Sequence, residues 1–194
     1  LSHASIRDGI RLSFAESFAF RHNDMNDLEA KLKNAKGNRF VVTESVFSMD
    51  GDICPLKELL ALCEKYSSNL IIDEAHATGV IGEKGEGLVQ QLGLQGKIFA
   101  RVHTFGKACG THGAAVLGSH ILKDYLINFA RSFIYSTALP EQAVAHIRAS
   151  YELFPKMNGK RDQLKSLVAK IRSSINNLPL LKSQTPIQGI IIPG

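Results

Sequence analysis

Short apolar segments alternate with amphipathic segments along this chain, and this alternation constrains the possible folds more than any other feature. Residues 40–44, 70–73 and 98–102 are apolar runs of the kind that form buried strands. Residues 25–34 and 55–65 carry leucines at helical spacing. Strands separated by helices of about ten residues predict βαβ units and a parallel sheet. We therefore expect an α/β protein with a central, mostly parallel sheet.

The remaining elements are predicted from the same patterns. Asn23 or Asp24 is expected to cap the helix over 25–34, and Pro55 to be the first residue of the next helix. Further helices are predicted over 4–13, 121–130, 140–154 and 162–175, further strands over 18–20 and 114–117, and a strand and turn over 133–137. A domain boundary is expected near Pro155, which gives one domain over 1–154 and the beginning of a second over 155–194.

Polar side chains follow the predicted strands where these strands end. Ser48 comes after the first strand, Asp73 ends the second, and Lys107 follows the third. Parallel sheets bind ligands beyond the carboxyl ends of their strands. The three residues are therefore expected at one edge of the sheet, where they predict an active site.

Lys107 lies in a glycine-containing loop between two apolar segments that are predicted to be core strands. A lysine that is partly desolvated there would lose proton affinity, and its amine would become a nucleophile toward an aldehyde or ketone. The alternative is a solvated lysine beside a glycine turn, and the loop considered alone favours this second interpretation.

The sequence Asp73-Glu74-Ala75-His76 after a strand has three interpretations. It matches the magnesium-binding motif of DEAH helicases; it also suits a cofactor site in which Asp73 pairs with a ring nitrogen; and aspartate is a common turn residue. The helicase interpretation requires a phosphate loop of the form GxxxxGK[ST]. Gly96-Lys97, Gly106-Lys107 and Gly159-Lys160 lack both the first glycine and the Ser or Thr. The ATPase interpretation therefore depends on a loop upstream of this chain.

Composition and spacing argue against several other classes of protein. The glycine run 79–87 does not lead from a strand straight into a helix, so it predicts a surface loop rather than a dinucleotide site. The 7 histidines show no metal-ligand spacing, so no metal site is predicted. Only 3 cysteines, without a CxxC pair, indicate reduced thiols and a cytoplasmic location. The net charge of +5 is diffuse and no apolar run reaches membrane-spanning length, so neither nucleic acid nor a membrane is an expected partner.

Three motifs taken together resemble one protein family. They are Ser48–Asp52 (SMDGD), Asp73–His76 (DEAH) and Thr104–Lys107 (TFGK), in the order and at the spacing of the α-oxoamine synthases, which are fold-type I pyridoxal-phosphate enzymes. The resemblance extends from Leu1 to Gly194. It implies a large domain with helices on both faces of its sheet, the start of a C-terminal α/β domain, pyridoxal 5′-phosphate as cofactor, and a homodimer.

The resemblance also implies roles for individual residues. Lys107 would form the Schiff base with the cofactor and later remove the α-proton of the amino acid. Asp73 would keep a proton on the pyridine nitrogen. The other implied contacts are His76 with the phenolic oxygen, His3 stacked on the ring face, Ser48 near the ring, Glu44 holding nearby loops, Thr104 with the phosphate, and Thr137 with the phosphate across a dimer interface.

Within this family the chain is most similar to the oxononanoate synthases, because residues 113–119 resemble theirs where other members usually carry a Gly-Gly-Tyr-like stretch. This similarity implies a step of biotin biosynthesis, the decarboxylative condensation of L-alanine with a pimeloyl thioester of CoA or of an acyl carrier protein. The alternatives are a related synthase that uses glycine or serine, a nucleic-acid-dependent ATPase, and a catalytically inactive structural chain. The family's N-terminal phosphate ligands and its C-terminal substrate-binding arginine have no counterpart here, so the chain alone is expected to turn over little substrate.

Overall fold

The computed structural model describes residues 2–175 and 177–192 of the chain. Within them, four strands form one sheet in the order β1-β2-β3-β4: β1 (Arg39–Glu44), β2 (Ser68–Asp73), β3 (Ala100–Thr104) and β4 (Ala114–Gly118). Strands β2 and β3 are parallel, with Asp73 opposite Val102. Strands β3 and β4 are antiparallel, with Thr104 opposite Ala114. The α/β prediction is confirmed, and β4 makes the sheet a mixed one.

Helices precede β1, separate β1 from β2 and β2 from β3, and follow β4. In chain order they are α1 (Ala4–Leu12), α2 (Met25–Asn34), α3 (Leu56–Lys65), α4 (Leu88–Gln91), α5 (His120–Phe129), α6 (Arg131–Ile134), α7 (Glu141–Leu153) and α8 (Asn158–Ser174). The prediction that Asp24 caps α2 is confirmed, because its side chain accepts a hydrogen bond from the N–H of Asp27 at 2.9 Å. Pro55 precedes the first residue of α3 and is its N-cap residue.

The chain divides into two compact units, Leu1–Leu70 with Asn158–Gly194, and Ile71–Met157. The core of the first unit contains Leu28 of α2, Leu59 of α3 and Val41 of β1, all buried. Leu28 and Leu59 belong to the apolar helix positions that the sequence pattern predicted. The predicted division into a domain over 1–154 and a second beginning at 155 stays a prediction.

The second unit contains β3, β4 and the helices α4 to α7. A buried cluster joins two residues of the loop between β3 and β4, Phe105 and Cys109, to Phe154. Gly79, in the loop after β2, lies directly against this region, because a Cβ atom placed on it would be 2.8 Å from Cβ of Ala108 and 2.9 Å from Cζ of Phe154. The loop after β2 and the lysine loop after β3 are therefore packed together.

Several predicted elements are wrong. Residues 114–117 do form β4, the last strand in the sheet order. Val116 is 53% exposed, so β4 is not a core strand. Residues 18–20 form no strand, and Phe18 is 57% exposed. The strand predicted at 133–135 is replaced by helix α6, since a short apolar run has no periodicity that separates strand from helix. Helix α8 begins at Asn158, four residues before the predicted start at 162.

The other predictions about the whole chain concern membranes and thiols. Among the described residues, no helix has both the length and the hydrophobicity needed to cross a bilayer. All three cysteines are buried and free. The reduced state of their thiols stays a prediction. The cytoplasmic location inferred from them stays a prediction.

Candidate active site

Two neighbouring parallel strands, β2 and β3, bring the candidate residues to one edge of the sheet. Asp73 is the last residue of β2, and Thr104 is the last residue of β3. Lys107 follows Thr104 by three residues, in the loop that leads to β4. Because β2 and β3 are parallel, their carboxyl ends meet at the same edge, as the sequence predicted for Asp73 and Lys107. Ser48 lies in a turn of the first unit, after β1.

Asp73 begins the turn that carries His76. Its carboxylate accepts a hydrogen bond from the N–H of Ala75 at 2.8 Å. The carbonyl of Glu74 then accepts hydrogen bonds from the N–H groups of Ala77 and Thr78, at 3.0 and 2.9 Å. One carboxylate oxygen of Asp73 therefore acts as a turn residue's side chain does. Its hydrogen bond with Ala75 orients the side chain at the strand end.

Backbone hydrogen bonds shape the loop that carries Lys107. The N–H of Phe105 donates to the carbonyl of Gly113 at 2.9 Å, and the N–H of Thr111 donates to the carbonyl of Phe105 at 2.9 Å. Gly113 has φ +109°, a conformation that favours glycine. Lys107 itself is exposed. The alternative of a solvated lysine, which the loop alone favours, therefore describes Lys107, and the loop does not lie between two core strands because β4 is not buried.

Thr104 offers a hydrogen bond that no described residue accepts. Its hydroxyl oxygen is buried and has no hydrogen-bond partner within residues 2–175 and 177–192. Leaving a buried hydroxyl unpaired costs about 1–3 kcal/mol, so such a group is a natural contact for a ligand. A phosphate group accepts hydrogen bonds strongly. The hydroxyl of Thr104 and the amine of Lys107 are therefore the groups at this sheet edge that a phosphorylated carbonyl compound would need.

Glu74 is a residue of this region that the sequence reasoning missed. Its side chain is 0% exposed, and one carboxylate oxygen accepts a hydrogen bond from the N–H of Val89 at 3.0 Å. The other oxygen lies 3.4 Å from Nε2 of His103 and 3.7 Å from Nη1 of Arg101. Nδ1 of His103 is hydrogen-bonded to the hydroxyl of Tyr151 at 3.0 Å. The sequence signal that could have pointed to this group is the two-residue spacing of Arg101 and His103, which places both side chains on one face of a strand.

His3 and Glu44, both in the first unit, are brought into contact by the fold. The backbone N–H of His3 donates to Oε1 of Glu44 at 2.7 Å, and Glu44 is buried. Nδ1 of His3 accepts a hydrogen bond from the N–H of Ser5 and caps α1. In the second unit, Thr137 is exposed in the segment between α6 and α7. The roles of His3, Glu44, Ser48 and Thr137 toward a cofactor stay predictions.

His22, Asp50 and Asp52 form a group whose ligand atoms all lie within 4.8 Å of one another. Nε2 of His22 is 2.8 Å from Oδ2 of Asp52, which also accepts a hydrogen bond from Asn23 at 2.7 Å. The spacing rules did not reveal this group, because its members come from two segments about 30 residues apart in the chain. Its hydrogen bonds join the segment before α2 to the turn after β1.

Comparison with known proteins places the chain in a family. Residues 1–191 match the family described as aminotransferase class I and II. The chain belongs to this family. An 8-amino-7-oxononanoate synthase of Emericella nidulans is 43% identical over 95% of the chain, and one of Marinobacter nauticus is 42% identical over 99%. This aminotransferase-family chain spans about half the length of these relatives, 49% and 50%. The resemblance inferred from the three motifs is confirmed.

Solved structures support the same assignment. A serine palmitoyltransferase from S. paucimobilis with a bound PLP–myriocin aldimine has a TM-score of 0.94 and 32% identity, over 100% of the chain and 52% of that protein. An 8-amino-7-oxononanoate synthase from Francisella tularensis has a TM-score of 0.85 and 32% identity, over 100% of the chain and 57% of that protein. The fold predicted for this member of the aminotransferase class I and II family is thereby confirmed.

Proposed function

We propose that this chain provides the lysine-bearing part of an 8-amino-7-oxononanoate synthase. That enzyme would condense L-alanine with a pimeloyl thioester, carried by CoA or by an acyl carrier protein, in biotin biosynthesis. The observation that carries the proposal is the placement of Asp73 and Lys107 beyond the carboxyl ends of two adjacent parallel strands. Relatives of that name, about 42% identical across nearly the whole chain, support this choice of substrates over glycine or serine.

Four side chains of the second unit would hold pyridoxal 5′-phosphate, which when bound withdraws electrons from the α-carbon of an amino acid. The hydroxyl of Thr104 would donate to the phosphate, and the carboxylate of Asp73 would keep a proton on the ring nitrogen by charge pairing. His76 would donate to the phenolic oxygen. The amine of Lys107 would hold the cofactor and, once released, would take the α-proton.

The remaining parts of the proposal come from the resemblance. His3 would stack on the cofactor ring, Ser48 would lie near it, and Glu44 would steady His3 through the hydrogen bond between them. Thr137 would contact the phosphate of a partner subunit in a homodimer. A cytoplasmic location completes the proposal.

The burial of Glu74 does not favour the DEAH ATPase alternative. In that alternative, the acidic residues after the strand bind a magnesium ion that arrives from solvent with a nucleotide. The Glu74 carboxylate has no exposed surface and already accepts a hydrogen bond from Val89. It is therefore not accessible to such an ion in this fold.

Chemical trapping tests the proposal on the chain itself. The chain is incubated with millimolar pyridoxal phosphate and reduced with borohydride, and the labelled lysine is located by peptide mass spectrometry. Label concentrated on Lys107, lost in Lys107→Ala and retained in the control Lys123→Ala, is the expected result; Lys123 is exposed on α5 of the same unit. Label spread over surface lysines, or retained at the same total in Lys107→Ala, would refute the assignment.

A further inference from the structure

Glu74 has a buried carboxylate that the proposed cofactor contacts do not use. It follows Asp73 and lies two residues before His76 in the chain. A buried carboxylate is tolerated only when charged or hydrogen-bonding partners surround it. One oxygen accepts a hydrogen bond from the N–H of Val89. The other faces Arg101 at 3.7 Å and His103 at 3.4 Å and makes no hydrogen bond with the described residues. The fold therefore holds a carboxyl group at a place where an apolar residue would be simpler to bury.

The backbone of Glu74 joins the turn to the neighbouring strand. Its N–H donates to the carbonyl of Val102 at 2.8 Å, which extends the pairing of β2 with β3 beyond Asp73. Its carbonyl accepts hydrogen bonds from the N–H and the hydroxyl of Thr78, both at 2.9 Å. The backbone and side chain of Glu74 together hold the turn that carries His76 against β3.

The contacts continue from β3 to the lysine loop. His103, which faces Glu74, is followed directly by Thr104, and its Nδ1 is hydrogen-bonded to the hydroxyl of Tyr151 on α7. The ring of Tyr151 lies 6.0 Å from that of Phe105 and 5.7 Å from that of Phe154, centroid to centroid. Phe105 lies in the lysine loop and belongs, with Phe154, to the buried cluster. One connected set of side chains thus extends from the turn with His76 to the loop with Lys107.

We propose that Glu74 is a positioning residue, which sets the place of Asp73 and His76 relative to Lys107 through His103 and Tyr151. This inference rests on the proposed function, since it concerns how the chain's own residues meet pyridoxal phosphate. Small displacements of reacting groups cost a large part of the rate, about 100-fold for 1 Å. Loss of the Glu74 charge therefore reduces the reaction of Lys107 with the cofactor even in a folded chain.

Trapping with pyridoxal phosphate and borohydride measures this effect. Glu74→Gln keeps the shape of the side chain but removes its charge, and it is expected to slow labelling of Lys107 by about 10- to 100-fold at temperatures where circular dichroism shows a folded chain. Tyr151→Phe removes only the hydroxyl that is hydrogen-bonded to His103, and it is expected to slow the labelling of Lys107 by roughly 2- to 10-fold. The matched control is Glu152→Gln on α7, where the carboxylate is 62% exposed and pairs with Arg148. This control is expected to label like the unmodified chain.

Hydrogen exchange provides a readout that does not depend on the cofactor. In Glu74→Gln, the amides of Ala77, Thr78 and Val89 are expected to exchange at least about 10-fold faster, together with Thr111 of the lysine loop, while amides within α7 keep their rates. Equal acceleration throughout the unit, or labelling of Lys107 at the normal rate in folded Glu74→Gln, would overturn the positioning role and leave the proposed function intact. An unmodified chain that never labels Lys107 would instead refute the proposed function, and with it any role of Glu74 toward a cofactor.

Discussion

Replacing Gly79 by alanine tests the packing of the turn after β2 on the lysine loop. Gly79 has φ +80°, and an added Cβ would lie 2.8 Å from Cβ of Ala108 and 2.9 Å from Cζ of Phe154. The left-handed conformation costs a non-glycine residue about 1–2 kcal/mol. Overpacking a filled site costs about 1–3 kcal/mol more. The free energy of unfolding is therefore expected to fall by about 2–5 kcal/mol, a large share of the 5–15 kcal/mol typical of a domain.

Two other glycines of the same unit separate the two contributions. Gly93 has φ +69° and nothing within 4 Å of an added Cβ, so Gly93→Ala measures the conformational cost alone. Gly96 also has open space around it and no positive φ, so Gly96→Ala is expected to leave stability unchanged or slightly raised. Urea unfolding of all three variants, followed by circular dichroism, gives the differences. If Gly79→Ala costs no more than Gly93→Ala, the two loops are not packed as the structure describes.

Three further predictions concern the cofactor, the thiols and association. In a full-length synthase carrying these residues, Asp73→Asn is expected to retain some cofactor but to slow α-proton exchange by about 10⁴-fold, as when one carboxylate sets a protonation state in a protease; near-normal exchange measured by NMR would make Asp73 merely structural. Burial raises the pKa of Cys54 to about 12 and that of Cys63 to about 11, so Ellman's reagent at pH 8 is expected to label both only after unfolding. In the unfolded chain these thiols titrate near pH 8.5. Their contribution to the free energy of unfolding is therefore fully present below that pH and is lost as the pH rises toward 12; a free energy of unfolding that is unchanged between pH 9 and pH 11 would contradict this. The chain alone is expected to self-associate, because large apolar side chains of α5 such as Ile121 and Phe129 are exposed. It is also expected to bind pyridoxal phosphate weakly and to turn over little substrate, because it spans only about half the length of its relatives; a monodisperse monomer with robust alanine and pimeloyl-CoA activity would contradict both.

Local patterns in the sequence were sufficient for most of the elements and for the edge of the sheet that carries the site. The strands β1 and β2 and the helices α1, α2 and α7 agree with the predicted segments, because apolar periodicity and capping residues act within a few positions of the chain. The order of strands and helices also predicted a parallel pair, which placed Asp73 and Lys107 at one edge. The three motifs then identified the family without any long-range information.

Tertiary structure decided which surfaces are covered and which polar groups meet. An apolar run shows that a segment can be buried but not what covers it, so β4 was predicted as a core strand although Val116 is exposed. The partners of Glu74 come from α4 and β3, and whether the Thr104 hydroxyl finds a partner among the described residues depends on every neighbour around it. Such contacts join residues far apart in the chain, and their energies depend on exact distances that residue spacing does not contain. For that reason the sequence determined the strand ends and the family, while only the folded chain showed that Glu74 is buried among Val89, Arg101 and His103.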